Sequence, residues 1–338
     1  MMKSFSLLLF ALFAVVSCNK PTNELKIVQG NALGTTYAVS IFENELNGGD
    51  VALRKAFDSL FVAVNASMST YQADSSISRI NAGDTKVVVD ELFEEVFWLS
   101  ERVYRESKGY FDPTVGVLVN AWGFGPQGPS TDQPTNLDSL LQFVGFDKVS
   151  LVNRKIQLSQ PGIQFDFNAV AKGYTLDKMS MALEELGASN YLIELGGEIL
   201  AKGENKQKGS PWRIGIDDPL SPESNSLTKI IGLSDQAMAT SGNYRKYRID
   251  PDTQSKYVHT INPLSGMAEP TNVLSASVIA PTCAEADAYA TALMAMPLEM
   301  SKTFLKERPE FSAFIIFVDE FNQTQQISQG YFDQANVE

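Results

Sequence analysis

Histidine is nearly absent from this chain of 338 residues, with His259 its only example. A zinc site built on several histidines is therefore excluded, as is a proton relay between two of them. Positive charge is also in short supply. Lys and Arg total 27 against 40 Asp and Glu, a net charge of −13. That argues against nucleic-acid binding, where a basic surface supplies most of the affinity. It also means that a phosphate-bearing ligand needs local help, from a metal or from helix N-termini. Long hydrophobic runs are missing beyond the first residues: no later segment carries the ~20 apolar residues of a membrane helix. Internal repeats and low-complexity linkers are missing as well.

What is present begins at the N-terminus. Lys3 precedes an apolar run from Phe5 to Val16, broken only by Ser6. The run is too short to span a bilayer but has the length of a signal-peptide core. It ends Val15-Val16-Ser17-Cys18, small residues before a cysteine, which resembles a bacterial lipobox. In such signals the cysteine becomes the lipidated N-terminus. The plainer alternative is an ordinary signal peptide followed by an incidental cysteine. The expected organisation is a lipoprotein signal peptide over 1–17, a polar tether over 18–24 and one catalytic domain over 25–338. With Cys18 lipidated, Cys283 is left alone and no internal disulfide can form. The expected location is extracytoplasmic, on the periplasmic side of a membrane held through that lipid. About 320 residues then remain, enough for a sizeable core and for two lobes.

Hydrophobic spacing predicts the elements. Ile27 to Phe42 reads as a hairpin around Leu33-Gly34. Asp50–Met68 and Asp90–Ser107 have helical spacing. Gly125–Thr135 is Gly- and Pro-rich and reads as an exposed loop. Gln164–Asn168 reads as a strand, and Val170–Leu186 as a helix closed by Gly187. Strands are expected at Tyr191–Leu195, Trp212–Ile216, Gln236–Thr240 and Val273–Ile279. A helix over Thr282–Met296 and a final strand over Phe311–Val318 complete the pattern. Strands and helices mix without strict alternation, so the expected class is α+β with mixed or antiparallel sheets.

Five segments could carry chemistry. In Thr282-Cys283-Ala284-Glu285-Ala286-Asp287-Ala288-Tyr289-Ala290-Thr291, Thr282 and Glu285 make a capping-box pattern. Asp287 and Thr291, four apart, share a face flanked by the small Ala284 and Ala288. A carboxylate beside a hydroxyl suits a hard cation such as Mg²⁺; the alternative is a surface acid and a helix filler. In Phe165-Asp166-Phe167-Asn168-Ala169-Val170-Ala171-Lys172-Gly173, Asp166 interrupts an apolar stretch, where a carboxylate needs a partner. The helix start and Lys172 after it favour an anion, though a capped helix with a surface lysine would read the same. Gly109-Tyr110-Phe111-Asp112-Pro113 is either a packed aromatic corner or a pocket for a flat ring. Ala239 to Arg245 reads as a strand followed by a polar turn. His259-Thr260-Ile261-Asn262-Pro263 offers the single histidine, whose commoner role in such a setting is structural.

In order and wording, these segments together resemble the FAD:protein FMN transferase family, also known as ApbE or Ftp. The likeness runs from Leu33-Gly34-Thr35-Thr36-Tyr37 to the Asp287 helix. It takes in Met68-Ser69-Thr70-Tyr71, Phe111-Asp112-Pro113-Thr114, Asp166 to Gly173, Glu194-Leu195-Gly196-Gly197-Glu198, Thr240-Ser241-Gly242-Asn243 and His259 with Asn262-Pro263. The resemblance implies a metal, Mg²⁺, held by Asp287, Thr291 and the main-chain carbonyl of Ala169. It implies FAD lined by Leu33, Tyr71, Tyr110, Phe111, Asp112, Asp166, Lys172 and Ile261, with Tyr71 stacked on a ring. Two departures stand out: Leu33 replaces a usual Met, and Asn168 a usual small residue.

The implied reaction moves FMN from FAD to a threonine or serine hydroxyl of a partner protein and releases AMP. His259 or a carboxylate, Asp287 among them, would take the hydroxyl proton; histidine is the side-chain type whose ordinary pKa lies near neutrality. The implied partners are flavin-carrying subunits of sodium-pumping NADH:quinone reductase (Nqr) and Rnf-type complexes, or related extracytoplasmic flavoproteins. Two rivals share these residues: a metal-dependent FAD pyrophosphatase, and a flavin-binding lipoprotein without turnover.

Overall fold

The structure, a computed structural model, describes residues 24–128, 134, 136–221, 226–243, 247–249, 254, 256–268 and 270–334. The expected signal peptide and Cys18 lie outside these residues, as do Tyr244, Arg245 and most of the expected loop at 125–135. The chain opens with β1 (Leu25–Ala32), β2 (Thr35–Phe42), α1 (Gly49–Met68), α2 (Ser76–Asn81), α3 (Glu91–Glu106), α4 (Gly116–Ala121) and α5 (Leu137–Leu141). It continues with β3 (Val149–Val152), β4 (Lys155–Leu158), α6 (Ala171–Glu185), β5 (Tyr191–Leu195), β6 (Glu198–Lys202), β7 (Trp212–Asp217), β8 (Leu227–Leu233) and β9 (Gln236–Gly242). It ends with β10 (Tyr247–Ile249), β11 (Lys256–Val258), β12 (Val273–Ala280), α7 (Cys283–Ala295), α8 (Leu298–Lys306), β13 (Ser312–Val318), β14 (Thr324–Gln329) and α9 (Tyr331–Gln334). Among the described residues no helix is long and apolar enough to cross a membrane.

The fold is α+β, as expected. Eight strands form one antiparallel sheet in the order β1-β2-β5-β6-β9-β12-β13-β14. Alternation along a strand sends successive side chains to opposite faces. On β13, Ala313 and Ile315 join the core beneath the helices, whereas Phe314 and Ile316 join a second layer under the β7–β8 hairpin, with Trp212, Ile214 and Ile231. Helices α3 and α7 close the first core over Phe93, Phe97, Phe165 and Phe167. Helices α1 and α6 cover β1, β2 and β5 through Leu53, Phe57, Leu176 and Met179.

Two tight turns meet beside the helix layer. Register Ala32↔Thr35 leaves Leu33 and Gly34 as a two-residue turn with φ of 50° and 75°. Such hairpin turns need positive φ at both positions, which costs a non-glycine residue roughly 1–2 kcal/mol. Register Leu195↔Glu198 leaves Gly196 and Gly197, and the Gly196 amide donates to the Thr36 carbonyl at 3.0 Å. A Cβ on Gly196 would stand 2.9 Å from Thr35 Cγ2, so glycine lets the tips touch.

Two expectations need correction. Gln164–Asn168 is not a regular strand. Only Gln164 bridges, to Val115, and the Asp166 amide goes to the Pro113 carbonyl, so the segment is pinned singly rather than laddered. Phe311–Val318 is a strand at Ser312–Val318 but not the last, because β14 pairs with it along its length.

Candidate active site

The site is organised by the crossing of α6 and α7. Thr282 caps α7, its hydroxyl accepting the Glu285 amide at 3.3 Å. Only half of the capping box forms, since the Glu285 carboxylate pairs with Arg102 of α3 instead. The next orphan amides, Cys283 and Ala284, donate to the two oxygens of Asp177 on α6 at 2.7 and 2.9 Å. Burial nonetheless pushes Asp177 up to about 6, against those two hydrogen bonds. The exchange is reciprocal: Asp287 on α7 accepts the Gly173 amide of α6 on Oδ2 at 3.1 Å. The crossing requires glycine at 173, because a Cβ there would lie 2.3 Å from the Cys283 carbonyl oxygen and 2.8 Å from Asp287 Cβ.

Asp287 is 3% exposed, so it is no surface acid. Burial raises its pKa, and the Lys172 charge and Gly173 amide offset this only in part. Among the described residues its second oxygen, Oδ1, accepts no hydrogen bond. A buried carboxylate with an open oxygen is costly unless something positive completes it. Thr291, one turn on, lies half-buried with its hydroxyl 3.3 Å from Ser241 Oγ on β9. On the opposite face of the sheet Thr240 and Ser277 share a hydrogen bond of 2.7 Å across β9 and β12. No described backbone amide donates to the Ala169 carbonyl, because Gly173, whose N–H a continuing helix would send there, turns to Asp287. One carboxylate and neutral oxygens form a donor set suited to Mg²⁺. Among the described residues no cluster of three or more His, Cys, Asp or Glu offers a rival metal site.

Lys172 forms an ion pair with Glu198, which begins β6 immediately after the Gly196-Gly197 turn. Burial works against the Lys172 ammonium, but Asp287 and Glu198 outweigh it and hold its pKa above the usual lysine value. Glu198 is 3% exposed and its Oε2 is buried without a partner. Burial pushes Glu198 up to about 7, with Lys172 pulling down and Asp287 pushing further up.

Asp166 is buried and fully engaged. Its Oδ1 accepts the Asn168 amide at 2.7 Å and its Oδ2 the Asn168 side chain at 3.1 Å. Asn168, the unusual residue in this turn, therefore adds a bond to Asp166. Asn81 brackets Phe165 from both sides, donating to its carbonyl at 2.8 Å and accepting its amide at 2.7 Å. Tyr71 is 61% exposed, with a ring open to stacking. Burial around its oxygen and the Asp166 carboxylate push its phenol up. Leu33, at the strained hairpin tip, borders an open depression of about 720 Å³ against α1, lined also by Asp58, Phe61 and Asn65.

His259 follows β11, half-buried, at the start of a closed loop. Val258 donates to the Ala268 carbonyl at 2.7 Å, and Asn262 to that of Met267 at 2.9 Å. Asn262 Oδ1 accepts the amides of Leu264 and Ser265 at 2.9 and 3.2 Å. Trp122 ties the loop down by donating to the Gly266 carbonyl at 2.7 Å while its ring lies 4.8 Å from that of Tyr257.

The ApbE family model matches residues 33–315. The chain belongs to the ApbE family. "FAD:protein FMN transferase" of Haemophilus influenzae is 33% identical over 84% of this chain and 84% of its own length. The protein of the same name from Vibrio cholerae is 33% identical over 87% and 88%. The structure described as "Flavin Transferase ApbE from Vibrio cholerae" superposes with a TM-score of 0.82 at 30% identity, covering 92% of this chain and 99% of that one. The apo flavinyl transferase ApbE of Pseudomonas stutzeri gives 0.81 at 28% identity, over 93% and 97%.

Within this ApbE-family chain, the α6–α7 crossing gathers Asp287, Thr291, Lys172 and the Ala169 turn. Three expected contacts prove to be packed side chains. The Phe111 ring is 2% exposed within the main core. Ile261 is 7% exposed in the cluster with Leu118 and Trp122. Asp112 is 6% exposed and accepts the Thr114 amide and hydroxyl at 2.8 and 2.6 Å, while burial pushes it up to about 6. What such residues can offer a ligand is mainly backbone, whereas Tyr110, half-buried, keeps some side chain accessible. Glu198 was missed as a site residue; its signal is an acid placed directly behind a Gly-Gly turn between two buried strands.

Proposed function

We propose that this protein is a magnesium-dependent FAD:protein FMN transferase. The observation that carries this reading is the buried Asp287 carboxylate with one oxygen satisfied and one open, beside Thr291 and Lys172. The activity for which the relatives are named supports the same reading. Asp287, Thr291 and the Ala169 carbonyl would hold the cation. When bound, Mg²⁺ would neutralise pyrophosphate oxygens and the charge building on the leaving side.

The chain's own residues do the rest. Lys172, paired with Glu198, lines the phosphates beside the cation. Tyr71 offers an exposed ring on which a flat heterocycle stacks, and Leu33, Tyr110 to Asp112, Asp166 and Ile261 line the remaining nucleotide. The acceptor's hydroxyl oxygen attacks the FMN-side phosphorus. The bond from that phosphorus to the bridging oxygen breaks, and AMP leaves with that oxygen. His259 takes the hydroxyl proton. The product is a phosphoester joining FMN to threonine or serine.

The acceptors in this reading are flavin-carrying subunits of Nqr- and Rnf-type complexes or kindred extracytoplasmic flavoproteins. The lipobox-like Val15 to Cys18 supports a lipid anchor at Cys18 that keeps the enzyme at the membrane beside them. The test incubates the protein with FAD, Mg²⁺ and such a domain and follows intact mass and nucleotides. Transfer yields an FMN-modified acceptor and one AMP for each modification. Free FMN with AMP and an unmodified acceptor would instead mean hydrolysis, and intact FAD would mean binding alone.

A further inference from the structure

The Lys172–Glu198 pair invites a question of charge. Two buried carboxylates, Asp287 and Glu198, share one ammonium. Lys172 is adjacent in sequence to Gly173, whose amide is bonded to Asp287, so the lysine starts its side chain beside that aspartate. Its ammonium nevertheless pairs with Glu198, across α6 and β6. Glu198 is placed for this by the Gly196-Gly197 turn, which starts β6 directly at the acid. The charges on both acids reach the lysine. Were Glu198 neutral, Asp287 would be the one buried anion left to it.

We propose that Glu198 is a positioning residue that holds the Lys172 ammonium away from Asp287 and so keeps the Asp287 carboxylate open for a divalent cation. The role rests on the reading of Asp287 as a metal ligand. Its chemistry is competition. An ammonium seated on Asp287 neutralises it and must be displaced before a cation binds. Paired with Glu198, the same ammonium makes no ion pair with Asp287. The Lys172–Glu198 pair then carries no net charge, and Asp287, whose charge the lysine offsets only in part, draws the cation in.

The competition has a signature that a merely structural salt bridge lacks. Glu198→Gln should weaken cation binding, and Lys172→Met added to it should restore binding, because the competitor is gone. The measurement is Mn²⁺ titration of the free protein, followed by electron paramagnetic resonance, with melting temperature recorded for each variant. Groups that orient metal ligands typically change affinity ~10- to 100-fold when removed. The expected result is a loss of that size in Glu198→Gln and recovery to within about threefold of wild type in Lys172→Met/Glu198→Gln. The double variant removes both members of the salt bridge and strands neither, so it decides the matter even if the single one fails to fold. Equal Mn²⁺ affinity in wild type and Glu198→Gln would overturn the role of Glu198 alone. A double variant that binds as weakly as Glu198→Gln, or that folds with weak binding where the single variant does not fold, would overturn it too. Wild-type protein that takes up no Mn²⁺ would overturn both this role and the metal site itself.

Discussion

Asp177 and Asp287 lie at the same helix crossing and are used differently. Each belongs to one helix and accepts amides of the other, and both are pushed upward by burial. Asp177 has both oxygens occupied by the first turn of α7. Asp287 has one oxygen on Gly173 and the other open. A buried acceptor that is fully partnered contributes to stability, while one left half-partnered costs stability unless something arrives to complete it. The pair shows how one residue type in one environment separates into a structural and a chemical role through a single hydrogen bond.

His259 sharpens this contrast most. If it takes the acceptor's proton, it should behave like Asp287 and not like Asp177. His259→Ala is expected to lower the rate at saturating FAD ~10²–10⁴-fold, with FAD affinity and melting temperature nearly unchanged. The loss should shrink as pH rises, since hydroxide substitutes for the base. A raised FAD dissociation constant with the saturated rate within a few-fold of wild type would make His259 a nucleotide contact instead.

Asp177→Ala probes the structural side. It strands two buried amides at the α7 N-terminus, each costing about 1–3 kcal/mol. Denaturant unfolding should register that loss while Mg²⁺ affinity per folded molecule stays close to wild type. Loss of metal binding without loss of stability would reverse the assignment of the two aspartates.

Tyr71→Ala is expected to weaken FAD binding by roughly 1–3 kcal/mol, about five- to a hundredfold. The exposed ring is not part of the core, so stability should not change. Fluorescence titration with FAD reads this directly, and an unchanged dissociation constant would remove the stacking role.

The smallest effect concerns pH. Burial raises Asp112 to about 6 from an ordinary 3.8. A folded-state pKa above the unfolded one means that the folded protein binds the proton more tightly. The stabilising contribution is therefore fully present below about 3.8 and is lost as pH rises through about 6. The melting temperature of Asp112→Asn relative to wild type should thus climb between pH 4 and 7. A difference that stays constant across that range would show that Asp112 does not titrate as its burial implies.

Much of this arrangement was legible in the chain. Thr282 marked the start of α7 because capping chemistry is local, and Gly187, at φ 91° just past α6, marked its end for the same reason. The spacing of Asp287 and Thr291 put both on one helix face. That this face is buried could not be read, since the burial comes from α6 and β9, which approach from elsewhere in the sequence. Gln164–Asn168 looked like a strand because its apolar residues alternate. Asp166 and Asn168 bond to each other instead of to a neighbouring strand, and alternation does not reveal that. The pairing of Glu198 with Lys172 could not be read, because the two lie on different elements and ion pairs of that kind leave no periodic trace.

The contrast between the two aspartates is tested most directly by running Asp287→Asn and Asp177→Asn side by side, with FAD, Mg²⁺ and an acceptor domain, and weighing the acceptor. Asp287→Asn should fold with a melting temperature at or above that of wild type and leave the acceptor unmodified. Asp177→Asn should melt earlier and still add FMN. An Asp287→Asn protein that modifies the acceptor at the wild-type rate in Mg²⁺ would contradict the account.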